Sequence, residues 1–149
     1  MIIKVCSGKK AVLLNILLLL PAAVSTPIFN GIGIRGLAMW ATIATHEQAK
    51  RIVGEHYKNE KTFNAPFGVR TLSKMEKMYN VRASGNQSLW TGPIWGVSNY
   101  MVFKGLVNYG FDKEAKKLAQ KTVLLFGKDF ERFGALHEYF FSRKRRTGF

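Results

Sequence analysis

From Trp40 onward, apolar and polar positions follow one another with the period of an α-helix, interrupted by polar stretches marked with Gly and Pro. Thr45-His46-Glu47-Gln48 has the form of a capping box, with Thr at the N-cap and Gln three residues later. Behind it, Ala49, Ile52, Val53, His56 and Tyr57 share one helical face, while Lys50, Arg51 and Lys58 stay on the wet side. Residues 59–94 keep no helical period and contain Pro66, Gly68, Gly85, Gly92 and Pro93. A loop of that length inside a compact domain is usually functional. The pattern resumes with a helix over 95–109, ended by Gly110. Asp112 is placed to N-cap a second helix whose apolar face is Ala115, Leu118, Ala119, Thr122 and Phe126, with Gly127 placed to stop it. The short Gly110-Phe111 connection makes 95–109 and 112–126 an antiparallel hairpin. No strand alternation of any length is visible, so the expected class is all-α.

The first residues follow another pattern. Lys4, Lys9 and Lys10 precede an apolar run from Ala11 to Leu20, and Ala23-Val24-Ser25 follows Pro21. Basic, apolar and small-residue regions in that order are the layout of a secretory signal peptide. The run is short for a membrane helix, which needs ~20 apolar residues, and extending it to Ile34 takes in Pro21 and Pro27. A signal peptide, a buried core helix and a membrane anchor all remain open. Membrane contact is expected only through residues 11–34. Localisation is secreted if residues 1–25 are a signal peptide, and otherwise cytoplasmic. The chain divides into an N-terminal apolar segment, 1–36, and a domain over 37–149.

Composition narrows the chemistry. With 47% hydrophobic and 21% charged residues, the chain is not a highly charged disordered tail. Twenty-three Lys and Arg against nine Asp and Glu give +14, which raises the question of an anionic partner. The only cysteine, Cys6, excludes an intramolecular disulfide or Cys-based zinc framework, and His46, His56 and His137 have no metal-ligand spacing. No metal or cofactor is expected.

Two segments carry chemistry. In Ser88-Leu89-Trp90-Thr91-Gly92-Pro93-Ile94-Trp95, with Asn99 and Tyr100 a helical turn further on, two indoles bracket a rigid Gly-Pro at a loop-to-helix junction. Flat aromatic faces suit the C–H faces of a sugar ring, and adjacent amides and hydroxyls suit its oxygens. The plainer reading is that both rings fill a core. In His137-Glu138-Tyr139-Phe140-Phe141, a carboxylate among aromatics is either a solvated surface group or an acid or base of shifted pKa.

In their order, Trp90-Thr91-Gly92-Pro93-Ile94-Trp95, Asn99-Tyr100, Gly105-Leu106, Tyr109-Gly110-Phe111, Glu114-Ala115 and His137-Glu138-Tyr139 resemble the C-terminal part of glycoside hydrolase family 63 and its mannosylglycerate-hydrolase-like relatives, with trehalases more distant. Trp40-Ala41, Ile43-Ala44-Thr45 and Glu47-Gln48-Ala49 are similar to the helix before this segment. Phe63-Asn64-Ala65-Pro66-Phe67-Gly68-Val69, Leu72-Ser73 and Tyr79-Asn80 are similar to the loop after that helix. The resemblance runs from about Leu37 to the end.

It implies a partial (α/α)6 toroid, the last few helical hairpins only, from an inverting enzyme acting on α-glycosidic bonds of glucosides or mannosides. Such an enzyme needs an acid and a base ~6.5–9.5 Å apart, with water between base and sugar. By the resemblance Glu138 is the general base, while Trp90, Gly92, Pro93, Trp95, Asn99 and Tyr139 line the sugar subsite. The family's acid is an aspartate well before the Trp-Gly-Pro-Ile-Trp motif, whereas Asp112 and Asp129, the only aspartates here, follow it. These 149 residues therefore read as a truncated glycosidase with the base half of the site, and whether a second chain completes the ring is left open. After Tyr139 the family continues with Asn- or Asp-Pro and then Thr-Gly, whereas here Ser142-Arg143-Lys144-Arg145-Arg146 precedes Thr147-Gly148. The alternatives are a sugar-binding remnant without catalysis, and a basic protein engaging nucleic acid or an anionic surface through Arg143–Arg146. The basic residues form no single stripe, so a solvated tail is preferred to nucleic-acid binding.

Overall fold

The structure is a computed structural model that describes residues 32–81 and 90–141. The signal-like segment, Ser88, Leu89 and the Arg143–Arg146 cluster lie outside the described residues. Helix α1 spans Ile32–Trp40, so it runs across the expected boundary at residues 36 and 37. Helix α2, His46–Arg51, begins at the capping box: the Thr45 hydroxyl accepts from the Gln48 N–H, and the Gln48 side chain accepts from the Thr45 N–H. It continues as a π-helical stretch, Ile52–Tyr57, and together they bury Ala49, Ile52, Val53 and Tyr57. The expected face is therefore the buried one, with His56 half-buried.

The described parts of the 59–94 segment, residues 59–81 and 90–94, are more structured than expected. Two-residue strands β1 (Asn64–Ala65) and β2 (Gly68–Val69) pair antiparallel around Pro66-Phe67. Buried Arg70 donates to the carbonyls of Glu60, Thr62 and Asn64, drawing that loop around its guanidinium. Strand β3, Ile94–Trp95, then leads directly into helix α3, Gly96–Asn108. These pairs are too short to alter the class, and the fold is all-α.

Helix α3 ends in a Schellman motif. The Phe111 N–H reaches the Leu106 carbonyl, the Gly110 N–H reaches that of Val107, and Gly110 takes the left-handed φ of 72°. Helix α4, Asp112–Phe133, completes the hairpin. Two expectations need correction. Asp112 is the first helical residue and Phe111 holds the cap position without a side-chain bond, so Asp112 contributes negative charge to the first turn rather than a cap. Gly127 lies inside α4, which ends only at Gly134 with φ 65°. An interior glycine costs only about 1 kcal/mol, and Phe126, Asp129 and Phe133 on either side of Gly127 all make tertiary contacts. Chain returning from α4 forms β4, Tyr139–Phe140, which pairs antiparallel with β3.

The core lies between α1, the α2–π segment and the α3–α4 hairpin, around Met39, Ile52, Val53, Phe63, Val102, Leu106, Ala115 and Leu118. Helices α1 and α3 meet through glycines. A Cβ on Gly36 would come 2.8 Å from Val102 Cγ2, and one on Gly105 would come 2.8 Å from Met39 Cβ and 3.1 Å from the Trp40 nitrogen. Lys121 of α4 fastens the β1–β2 hairpin, donating to Asn64 Oδ1 at 2.9 Å and the Ala65 carbonyl at 2.7 Å. Among the described residues no helix is long and apolar enough to cross a membrane.

The two helical glycines give opposite expectations. Gly105→Ala should cost about 1–3 kcal/mol, because backbone stands in the way of the new methyl. Gly127→Ala, with nothing within 4 Å of the added carbon, should gain up to about 1 kcal/mol. Urea midpoints of the two variants check both signs.

Candidate functional site

The site is assembled where β3 meets β4. Trp95 is the cross-strand partner of Tyr139, and Ile94 that of Phe140. The Gly96 N–H, next after Trp95, donates to the Glu138 carbonyl at 3.1 Å. Two motifs distant in sequence are thus joined by main-chain bonds. Trp90 and Trp95 stack at 4.3 Å between centroids and 14° between planes, Trp95 stacks with Tyr139 at 5.4 Å, and Tyr139 meets Phe141 edge-on at 6.0 Å. The result is a run of four aromatic rings. Trp90 is 44% exposed and Phe141 43% exposed, while Trp95 and Tyr139 between them are half-buried. The pair is therefore not simple core filling, and Glu138 beside it is exposed.

Beneath the rings lies a polar frame. Asn99, 1% exposed, uses its whole amide on backbone: Oδ1 accepts from the Val69 N–H at 2.9 Å, and Nδ2 donates to the carbonyls of Val69 at 3.1 Å and Trp95 at 2.8 Å. Such a group holds the backbone under the aromatic run and has no polar atom to spare for a ligand. Gly92 and Pro93 are also buried, which makes them support rather than surface. Gly92 has φ 146°, and a Cβ there would come 2.7 Å from the Tyr79 ring, so both conformation and space demand glycine. Of the expected subsite residues, then, Trp90, Trp95 and Tyr139 form the aromatic run, and Gly92, Pro93 and Asn99 underlie it.

Sequence reasoning missed two residues of this frame. Buried Thr71 donates its hydroxyl to the Pro93 carbonyl at 2.9 Å and accepts from the Gly92 N–H at 3.2 Å, fixing the Gly-Pro turn. Asp129, 8% exposed, accepts from the His137 main-chain N–H at 2.8 Å and from ring Nδ1 at 2.9 Å. No local pattern announces Thr71. Asp129 left no signal either, since it lies beyond the helix end expected at Gly127 and its partner His137 is eight residues further on. Burial alone would raise the Asp129 pKa. The bonds from the His137 main chain and ring, with the charge of that ring, outweigh it and hold the carboxyl below its usual range. Further along α4, the Phe126 ring lies against Gly96, where a Cβ would be 2.8 Å from Cζ, and meets Phe140 edge-on at 5.2 Å.

Comparison with known proteins gives this geometry a context. The model of the mannosylglycerate hydrolase MGH1-like glycoside hydrolase domain matches residues 23–143. The GH63 mannosylglycerate hydrolase of Thermus thermophilus is a structural neighbour both in complex with glucose (TM-score 0.58, 22% identity) and in complex with Tris (TM-score 0.57, 23% identity). Each alignment covers 74% of this chain, but only 25% and 24% of the neighbour. The chain thus spans about a quarter of the length of the solved structures it matches. Curated proteins returned no match.

Removal of the Asn99 amide leaves the buried N–H and carbonyl of Val69 without their partner, while the Trp95 carbonyl keeps the Ser98 hydroxyl at 3.0 Å, so Asn99→Ala should cost on the order of 3 kcal/mol. It should also weaken the near-ultraviolet circular dichroism of the stacked indoles. Asp129 sets a pH dependence. Its folded pKa lies below the unfolded value of about 3.9, so its contribution is present above that value and lost as pH falls through the depressed folded pKa. Amide exchange at His137 should accelerate in that acid range, and Asp129→Asn should remove the pH step.

Proposed function

Because this chain belongs to the mannosylglycerate hydrolase MGH1-like glycoside hydrolase family, we propose that it supplies the general-base half of an inverting glycosidase site for α-linked glucosides or mannosides. Glu138 is the base and Trp90, Trp95 and Tyr139 are the sugar platform. One observation carries the reading: pairing of Trp95 with Tyr139, with the Gly96 N–H on the Glu138 carbonyl, fixes the Glu138 main chain next to an exposed aromatic run. Aromatic rings bind the C–H face of a pyranose, and Glu138, exposed to solvent, is available to take a proton from water.

The acid is the missing part. Inversion requires a second carboxyl across the anomeric carbon, about 6.5–9.5 Å from the base. No aspartate of this sequence precedes Trp90. The solved neighbours contain roughly four times the matched chain, and in this reading the acid belongs to that further part of the toroid, contributed by more of the same polypeptide or by a second chain. Without it, leaving-group protonation worth about 10²–10⁴ in rate is lost, while stacking on the rings survives. A purely sugar-binding role is the second reading, favoured by the exposed aromatic run, which can stack on a sugar ring without any catalysis.

The 149-residue chain should show no turnover of α-linked disaccharides. An aryl glycoside carries a leaving group that needs little protonation, so a trace of hydrolysis should appear with it and vanish in Glu138→Gln. Efficient cleavage of a natural disaccharide would overturn the half-site reading and send the search for an acid to Glu47, Glu55, Glu60 and Glu76. A trace rate that persists unchanged in Glu138→Gln would remove Glu138 from the role of base.

A further inference from the structure

We propose that Asp129 is a positioning residue for Glu138, acting through the main chain and ring of His137. The inference rests on Glu138 being the base. A buried carboxylate is costly unless hydrogen-bonded. Asp129 is buried, and both its oxygens bond to a single residue: Oδ2 to the His137 N–H at 2.8 Å and ring Nδ1 at 2.9 Å, Oδ1 to the same ring nitrogen at 3.0 Å.

That residue immediately precedes Glu138. On the other side, the carbonyl of Glu138 accepts from Gly96, and Tyr139 is fixed by its pairing with Trp95. The Glu138 backbone is therefore held from both directions, by α4 before it and by β3 and α3 at and after it. Gly134, Ala135 and Leu136 of the intervening loop are exposed, so the Asp129 bond is what ties this return loop down ahead of the base. A carboxylate that must address one water needs placement to about 0.5 Å, and a displacement of 1 Å can cost about 10²-fold in rate. The same bond sets the imidazole. With Nδ1 donating to Asp129, neutral His137 carries its proton there and leaves Nε2 as an acceptor on a half-exposed ring, which also rests edge-on against Phe133 at 5.2 Å.

The test compares the full chain with Asp129→Asn, which keeps the shape, and with Asp129→Ala. Hydrolysis of 4-nitrophenyl α-mannoside and α-glucoside gives kcat and KM, and nitrogen-15 NMR of the His137 ring gives its tautomer. Both variants should lose about tenfold to a hundredfold in the Glu138-dependent kcat with KM little changed, because the rings that bind sugar are untouched. The wild-type ring should carry its proton on Nδ1, and Asp129→Ala should move it to Nε2. A folded Asp129→Ala chain with wild-type kcat, or a wild-type ring protonated on Nε2 and not on Nδ1, would overturn the proposal. Should the wild-type chain have no Glu138-dependent rate at all, the reading of Glu138 as base fails separately. The amide exchange of Glu138 then decides the positioning claim: acceleration in Asp129→Ala upholds it, and no change refutes it.

Discussion

The amide of Asn99 is the constraint on which the rest of the site depends. One buried side chain satisfies both backbone groups of Val69 and the carbonyl of Trp95, so the β1–β2 hairpin, strand β3 and the first turn of α3 are locked at a single point. Around it space is minimal: a Cβ on Gly68 would stand 2.5 Å from Asn99 Oδ1. Unpaired, the two Val69 groups would each cost about 1–3 kcal/mol, more than any single aromatic contact above them returns. The Trp90–Trp95–Tyr139 run is a consequence of this frame. Its rings keep their exposed edges because the polar groups beneath hold the backbone, with no need for the indoles to be buried.

Much of this was legible locally. The Thr45 capping box, the buried face from Ala49 to Tyr57 and the α3–α4 hairpin with its Gly110 turn all follow from spacing and turn chemistry within a few residues. Glycine was a reliable stop at Gly110, where two main-chain bonds close the Schellman motif, and not at Gly127, where contacts on both sides outweigh a small propensity cost. The motif resemblance singled out the segments that β3 and β4 bring together. It did not reveal that Asn99, Gly92 and Pro93 underlie the rings. Whether a polar residue faces ligand or backbone depends on distant partners: Val69 is 30 residues from Asn99, and Thr71 is 22 from Pro93. The β3–β4 pairing is also long-range, and two-residue strands leave no alternation to read.

Helix α4 links fold to chemistry. Its first half is amphipathic in the ordinary way, with Ala115 and Leu118 buried and Lys113, Lys116 and Lys117 exposed. Its second half holds the site through Phe126 under Gly96 and Phe140, and through Asp129 on His137. Its far end also exposes Val123, Leu124, Phe130 and Phe133. An open apolar face of that kind is a surface suited to packing against further protein.

The central claim is that the aromatic run and Glu138 form one sugar-binding surface. The chain has three tryptophans, Trp40, Trp90 and Trp95, and Trp40 belongs to α1, away from this run. Titration of an α-linked mannose disaccharide, followed by the indole N–H signals and the Glu138 amide in two-dimensional NMR, tests the claim directly. Trp90, Trp95 and Glu138 should shift together along one binding curve while Trp40 stays still. Shifts confined to Trp40, or indole shifts without Glu138, would contradict it.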